Sequence, residues 1–162
     1  MLEFTLEELE ALETDLDFFR AGRSVPERLL RAGLYPPLPV CGKRLIWGFP
    51  LISAARASGM ARLACIRIDG LAPADMLALA LQLEDRPGGY RWSEKRRMLA
   101  FAESAGFPLS ALAPFIETHP DPRLEEKINR FSCLPDPLRA MVNEGLLDLR
   151  TALQIPGLPE GV

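Results

Sequence analysis

Three consecutive basic residues, Lys95, Arg96 and Arg97, form the densest positive run in the sequence. Such a run either contacts the phosphates of a nucleic-acid backbone or is solvated charge at the start of a helix. Ser93 and Glu94 come directly before it and predict a helix start. Three neighbours on a helix splay over roughly 200°, at ~100° per residue, so they cannot all face one groove. Both interpretations stay open.

The charge is polarised along the N-terminal part of the chain. Residues 1–17 carry seven acids and no base, whereas residues 18–68 carry nine bases and one acid, Glu27. A sign change this sharp indicates either pairing within the chain or a basic face for an anionic partner such as DNA; ordinary solvated charge is the alternative. The candidate nucleic-acid-binding residues are Arg44, Arg56, Lys95, Arg96 and Arg97.

Metal and nucleophile chemistry find little support. Cys41, Cys65 and Cys133 are widely spaced, and His119 is the one histidine of the 162 residues. No recognised metal-ligand spacing results, and we expect no metal, no cofactor and no catalytic residue. The cysteines are expected to be core thiols in a reducing cytoplasm. No apolar run approaches the ~20 residues of a membrane span, and the acidic N-terminus is not expected to be a signal peptide.

The residues between 38 and 69 predict the elements that would position these side chains. An apolar run at 38–40, a turn at Gly42 and a second apolar run at 44–47 indicate a β-hairpin. Gly48 then allows a sharp turn, Pro50 suits the first turn of a helix, and Gly59 ends that helix. Alternation over 63–68 predicts a returning strand. The fold class is therefore α+β.

Helical periodicity dominates the remainder. Thr5 and Glu8 form a capping-box pattern before regularly spaced leucines, which predicts an acidic amphipathic helix over 5–19. This helix either packs on the core or a dimer partner, or forms a lid over the basic segment. A second start signal lies at Ser24 and Pro26, and further helices are expected over 72–83, 93–106, 109–117, 123–133, 136–144 and 148–154. The expected organisation is an acidic helix at 1–19, a core at 20–91, a helical section at 92–154 and a tail at 155–162.

The spacing of these signals resembles the N-terminal domain of ParB-type chromosome-partitioning proteins, which shares its fold with sulfiredoxin. The resemblance rests on the segment 30–40, on Ile46, Trp47 and Gly48, on Ala54, Ala55 and Arg56, and on Gly59, and it continues to about residue 153. It implies a small mixed sheet with flanking helices, followed by a helix-turn-helix-like section. It places the recognition helix of that motif at 122–130, where Glu125 and Glu126 oppose phosphate.

The resemblance also implies where a nucleotide would bind. After the glycine equivalent to Gly48 the family has Glu-Arg-Arg, which contacts phosphates or DNA, and this chain has Phe49, Pro50 and Leu51 instead. Nor does this loop hold the cysteine that the sulfiredoxin branch needs. We therefore expect a degenerate nucleotide site that binds neither CTP nor ATP. Its remaining residues would be Arg23, Gly48, Arg56, Glu84 and Arg86.

Three functions follow as alternatives. The first is a bacterial ParB-like, nucleic-acid-associated protein with a DNA-binding or regulatory role in the cytoplasm, which could be a homodimer. The second is a non-catalytic protein-interaction module on the same fold, and the third is a ParB-like nuclease or nucleotide hydrolase. Under the first, an acidic lid over 5–19 would restrain a weak nucleic-acid affinity of the 18–68 segment and of Lys95–Arg97.

Overall fold

The computed structural model describes residues 2–14, 16, 27–84, 89–117, 119 and 121–155. The chain divides into two compact units, Met1–Asp85 and Arg86–Val162. The sequence placed this boundary after residue 91.

A mixed sheet of four strands organises the first unit. Its strands are β1 (Leu2–Glu8), β2 (Leu38–Cys41), β3 (Arg44–Leu45) and β4 (Arg62–Ile68), in the order β1-β4-β2-β3. β4 pairs antiparallel with β1 and parallel with β2, and β2 pairs antiparallel with β3. The helices of this unit are α1 (Glu27–Arg31), α2 (Phe49–Ala57) and α3 (Pro73–Glu84). The predicted α+β class with a small mixed sheet is confirmed.

The hairpin, the glycine turn and the helix after it form where the sequence predicted them. Gly48 is the N-cap of α2 with a φ of 98°, and Pro50 lies in the first helical turn. A Cβ at Gly48 would overlap the side chain of Leu38, which is fully buried in β2. Gly48 is therefore required both by its left-handed backbone and by the close approach of β2.

The helix predicted over 5–19 is wrong in its described part, because residues 2–8 form strand β1 and Leu9–Ala11 form a short 3-10 helix. Residues 3–7 alternate between polar and apolar side chains, and the edge of β4 offers backbone partners along the whole of β1. Thr5 donates its hydroxyl hydrogen bond to Glu7 at 2.9 Å rather than capping a helix. Pairing with a distant strand outweighs the local capping-box signal here.

The two faces of the sheet differ in exposure. Leu38 and Val40 of β2 and Leu63 and Cys65 of β4 are fully buried, and their neighbours Pro39, Ala64 and Ile66 are partly exposed. Helices α2 and α3 contribute further buried residues, namely Phe49, Leu51, Ile52, Ala55, Met76, Leu77, Ala80 and Leu81. The core of the first unit therefore lies on one face of the sheet.

In the described residues of the second unit, every regular element is a helix. It contains α4 (Trp92–Ser104), α5 (Leu109–Ile116), α6 (Leu124–Ser132), α7 (Asp136–Asn143) and α8 (Leu149–Ala152). Helix α4 contacts α5, α6 and α7, and α7 contacts α8. Phe131, Leu134, Val142, Leu149 and Ala152 form a buried cluster. The helical section predicted over 92–154 contains no strand in the residues that the structure describes.

Within the described ranges, every helix is too short or too polar to cross a membrane.

Substituting Gly48 tests the junction between β2 and α2. Gly48→Ala should lower the free energy of unfolding by about 3 kcal/mol, because alanine strains the left-handed backbone and its methyl group overlaps Leu38. Gly42→Ala is the matched control: Gly42 also has a positive φ, 60°, but has open space around its Cα. It should lose only about 1 kcal/mol. Urea unfolding followed by circular dichroism measures both, and equal losses would contradict the role of the Leu38 contact.

Candidate functional site

The turn at Gly48 is where the resemblance places nucleotide contacts, and its side chains are committed to packing. Phe49 is 3% exposed and Leu51 8% exposed. Trp47, just before the turn, donates its indole N–H to Glu84 Oε2 at 3.2 Å. Two of the expected nucleotide-site residues, Gly48 and Glu84, are therefore brought near each other through Trp47. Glu84 orients an indole here, and the first turn of α2 presents apolar side chains to the core.

The two candidate arginines of the first unit bind parts of their own chain. Arg56, in the last turn of α2, donates from Nη2 to the carbonyl oxygen of Leu9 at 2.7 Å. Arg44 in β3 lies 3.9 Å from the carboxylate of Glu13. The backbone of Glu13 also pairs beside β3, donating to Lys43 and accepting from Leu45 at 2.8 and 2.9 Å. Arg23 and Arg86, the other expected nucleotide contacts, lie outside the described residues.

Acidic residues of β1 form ion pairs with basic residues of β4. Arg67 Nη2 lies 2.6 Å from Glu7 Oε1, and Arg62 Nη2 lies 2.8 Å from Glu8 Oε1. The hydrogen bond from the Thr5 hydroxyl, together with the Arg67 guanidinium, holds the pKa of Glu7 below its usual value despite partial desolvation. Of the interpretations of the polarised charge, pairing within the chain is the one these contacts support. In its described part the acidic segment contains strand β1 of the sheet, so the hypothesis of an acidic helical lid is wrong.

The three residues of the basic run at 95–97 differ in exposure, as their neighbouring positions on one helix predict. The Lys95 side chain is 8% exposed and its Nζ lies 2.7 Å from Glu117 Oε1. The same ammonium lies 4.6 Å from the centre of the Trp92 ring. Arg96 is exposed and Arg97 is partly buried. Lys95 therefore fastens α4 to the end of α5, and its charge is not presented to solvent.

Helix α6 corresponds to the expected recognition helix, and acidic residues begin it. Glu125 and Glu126 are exposed in its first turn. Lys127 forms an ion pair with Asp121, and Arg130 lies 3.8 Å from Glu126. The basic side chains of α6 are therefore paired with acidic ones, and its surface lacks the excess of positive charge that is typical of a phosphate-binding helix.

Thiol and metal chemistry gain no support. Cys41, Cys65 and Cys133 are free; Cys65 is buried as expected, Cys41 is partly exposed, and the expected core position is wrong for Cys133, which is exposed. Burial raises the pKa of the Cys65 thiol to about 11. A thiol with so high a pKa is a poor nucleophile at neutral pH. The described ranges contain no group of three or more His, Cys, Asp or Glu side chains placed to hold a metal ion.

Sequence reasoning missed an exposed apolar pair on β1. Phe4 is 73% exposed and Leu6 is 68% exposed. In the register of the sheet Phe4 lies opposite Ile66 and Leu6 lies opposite Ala64, both partly exposed. These side chains form an apolar surface, which we call the β1 face. Strict alternation of Phe4 and Leu6 with Glu3, Thr5 and Glu7 was the available signal, and it was masked by the helix-like leucine spacing that follows.

Comparison with known proteins returns structural neighbours alone: neither a family model nor a curated protein matches the chain. A Pnob8-like ParB-N domain is similar over 94% of this chain and 79% of its own, with a TM-score of 0.48 and 14% identity. The C-terminally truncated chromosome-partitioning protein ParB from Caulobacter crescentus, complexed with CTP-gamma-S, is similar over 93% of this chain and 90% of its own, with a TM-score of 0.41 and 16% identity. Both of these neighbours are ParB structures.

The buried turn at Gly48 predicts that nucleotides are not bound there. Isothermal titration of the chain with CTP or ATP and magnesium should give no binding heat at millimolar nucleotide, because Phe49 and Leu51 cannot neutralise a triphosphate. Leu51→Arg, which restores one charge of the family pattern, is a useful comparison. A micromolar affinity of the unaltered chain for either nucleotide would contradict the prediction and favour the nucleotide-hydrolase alternative.

The internal role of Lys95 is tested by comparing it with its exposed neighbour. Lys95→Met should lower the free energy of unfolding by about 3 kcal/mol, because it leaves the Glu117 carboxylate without its partner. Arg96→Met, the control on the same helix turn, should change it by less than about 0.5 kcal/mol. Adding Glu117→Gln to Lys95→Met should recover part of the loss. Urea denaturation measures all three, and equal effects at 95 and 96 would contradict the internal ion pair.

Proposed function

We propose that this chain is a non-catalytic protein-interaction module on a ParB-like fold. The observation that carries the proposal is the β1 face, where Phe4 and Leu6 are 73% and 68% exposed beside Ile66. Large apolar side chains that lie together in water at a sheet edge are typical of a surface that a partner covers.

The use of the charged residues supports the same proposal. Arg56, Arg62, Arg67 and Lys95 each bond to a carbonyl or a carboxylate of their own chain. A nucleic-acid ligand would have to displace these partners before it could release counterions from its phosphates. The free thiols suit a reducing compartment, and we place the module in the cytoplasm.

DNA association, in the manner of a chromosome-partitioning protein, is the second candidate. It is favoured by Arg96, which is exposed beside Arg97 on α4. Backbone contact through one or two arginines would be non-specific and would weaken steeply with salt. A homodimer is compatible with either candidate.

A pair of variants separates the two candidates. Quantitative affinity capture from an extract of the source organism should recover the same proteins with the unaltered chain and with Leu146→Ser, and lose them with Phe4→Ser/Leu6→Ser. Leu146 is the matched control because it is 70% exposed in the second unit. Circular dichroism checks that each variant is folded.

The DNA candidate is measured in parallel by fluorescence anisotropy of a labelled duplex at ~50 mM salt. We expect no saturable binding by the unaltered chain. Binding that Arg96→Ala abolishes, together with unchanged capture by the Phe4→Ser/Leu6→Ser variant, would refute the interaction module and favour DNA association.

A further inference from the structure

We propose that the open edge of β1 receives an extended, basic segment of a partner protein as an added antiparallel strand. This inference rests on the proposed interaction module and names its partner chemistry. The partner strand would carry apolar side chains on the face of Phe4 and Leu6, and lysine or arginine on the opposite face.

The backbone of β1 is arranged for strand addition. β1 is the terminal strand of the sheet, and in the described part of the chain it pairs with β4 alone. Leu9 N donates to the Ala61 carbonyl at 2.9 Å, which continues the antiparallel register as a hydrogen-bonded pair. Bonded and non-bonded pairs alternate in such a ladder, so residues 3, 5 and 7 direct their backbone groups toward β4. The N–H and C=O groups of Phe4 and Leu6 are therefore directed outward.

The other edge of the sheet is closed by the chain itself. Glu13 forms a parallel bridge with Arg44 and bonds to the backbone of Lys43 and Leu45 on either side. Edge strands are usually protected by charge, bulges or covering segments. One edge here is covered, and the other combines outward backbone groups with exposed apolar side chains, which is the arrangement that strand-adding peptides use.

Side chains on the two faces of β1 specify the partner. Phe4 and Leu6 lie on one face, and Glu3, Thr5 and Glu7 lie on the other. Glu3, Glu8 and Glu10 are exposed, and the first seventeen residues contain no base. A strand laid beside β1 would place its own alternate residues next to exposed Glu3 and next to Glu7, whose carboxylate already pairs with Arg67. Basic side chains would pair favourably with Glu3, and acidic ones would be repelled.

The same charges argue against a second copy of this chain as the occupant. Antiparallel pairing of two β1 strands brings Phe4 against Leu6 only in the register that places Glu3 against Glu7 of the second copy. Like charges directly opposite each other are destabilising. The register with Phe4 opposite Phe4 avoids this repulsion by placing Glu3 opposite Thr5, but it gains no charge pair. A basic strand pairs with Glu3 in either register, so complementary charge favours a basic partner.

Synthetic peptides as long as β1, with alternating lysine and valine, are the probes. Fluorescence anisotropy with the full chain should show saturable binding of the lysine–valine peptide. The affinity for a glutamate–valine peptide of the same length should be at least about tenfold lower. Because the chain is acidic overall, charge attraction alone could produce that difference. Backbone methylation removes this ambiguity.

In antiparallel addition the valine amides face β1 and the lysine amides face solvent. N-methylation of the valine amides should weaken binding by about tenfold or more, since each methyl group removes a donor and blocks the edge. N-methylation of the lysine amides keeps the charge and composition and should leave the affinity within about twofold. Equal affinity of the two methylated peptides would overturn strand addition, as would failure of the unmethylated lysine–valine peptide to bind.

Variants of the protein complete the test. Glu3→Gln should weaken the lysine–valine peptide about threefold, whereas Glu125→Gln, an exposed acid on α6, should have no effect. Light scattering of the chain and of Phe4→Ser/Leu6→Ser gives the oligomeric state. A dimer that the double variant dissociates would identify a second copy as the occupant and overturn the basic partner.

The two levels of proposal fail separately. If the methylated peptides behave alike while Phe4→Ser/Leu6→Ser still loses its captured proteins, strand addition is wrong and the interaction module stands. If the double variant captures the same proteins as the unaltered chain, the interaction module itself is wrong.

Discussion

The antiparallel pairing of β1 with β4 is the contact on which the first unit depends. It makes β4 an interior strand, with β1 on one side and β2 on the other. It also supplies carboxylates to Arg62 and Arg67, and it brings the Leu9 carbonyl to Arg56 at the end of α2. From there the chain continues to Glu13 at the opposite edge, beside β3. The N-terminal segment therefore borders the sheet on both sides, and three of its acids, Glu7, Glu8 and Glu13, pair with bases that follow.

Local signals predicted most of the fold because each of them is complete within a few residues. The hairpin at Gly42, the left-handed turn at Gly48 with Pro50 behind it, and the helices of the second unit depend on turn chemistry and helical periodicity. The strand β1 depends on a partner about sixty residues further along the chain, as the pairing of Phe4 with Ile66 shows. Thr5 and Glu8 carry a helix-start pattern whose outcome that distant partner decides. Leu9, Leu12 and Leu16, which follow it at helical spacing, are buried without an α-helix: Leu9 lies in the 3-10 helix, and the other two come after that helix.

The candidate site was harder to predict because the same side chains serve two purposes. A lysine in a basic run is equally compatible with a phosphate contact and with an internal ion pair. For Lys95 the deciding residue is Glu117, which directly follows α5 and lies twenty-two residues further along the chain, so no local sequence pattern encodes the contact. The sequence alone showed that Phe49 and Leu51 replace the charged residues of the family's loop. The structure adds the reason: both side chains are buried and form part of the core.

The exposed pair on β1 is best understood through what the sheet does elsewhere. On the buried face, Leu63 and Cys65 of β4 are covered, yet the residues of β1 beside them are Thr5 and Glu7, which are polar. The apolar residues of β1 instead lie on the less covered face, next to Ile66. A strand whose only task was to complete the core would have the reverse pattern, with apolar side chains inward and acids outward. The observed pattern joins β1 to the sheet mainly by backbone bonds and ion pairs, and it leaves Phe4 and Leu6 available to a partner.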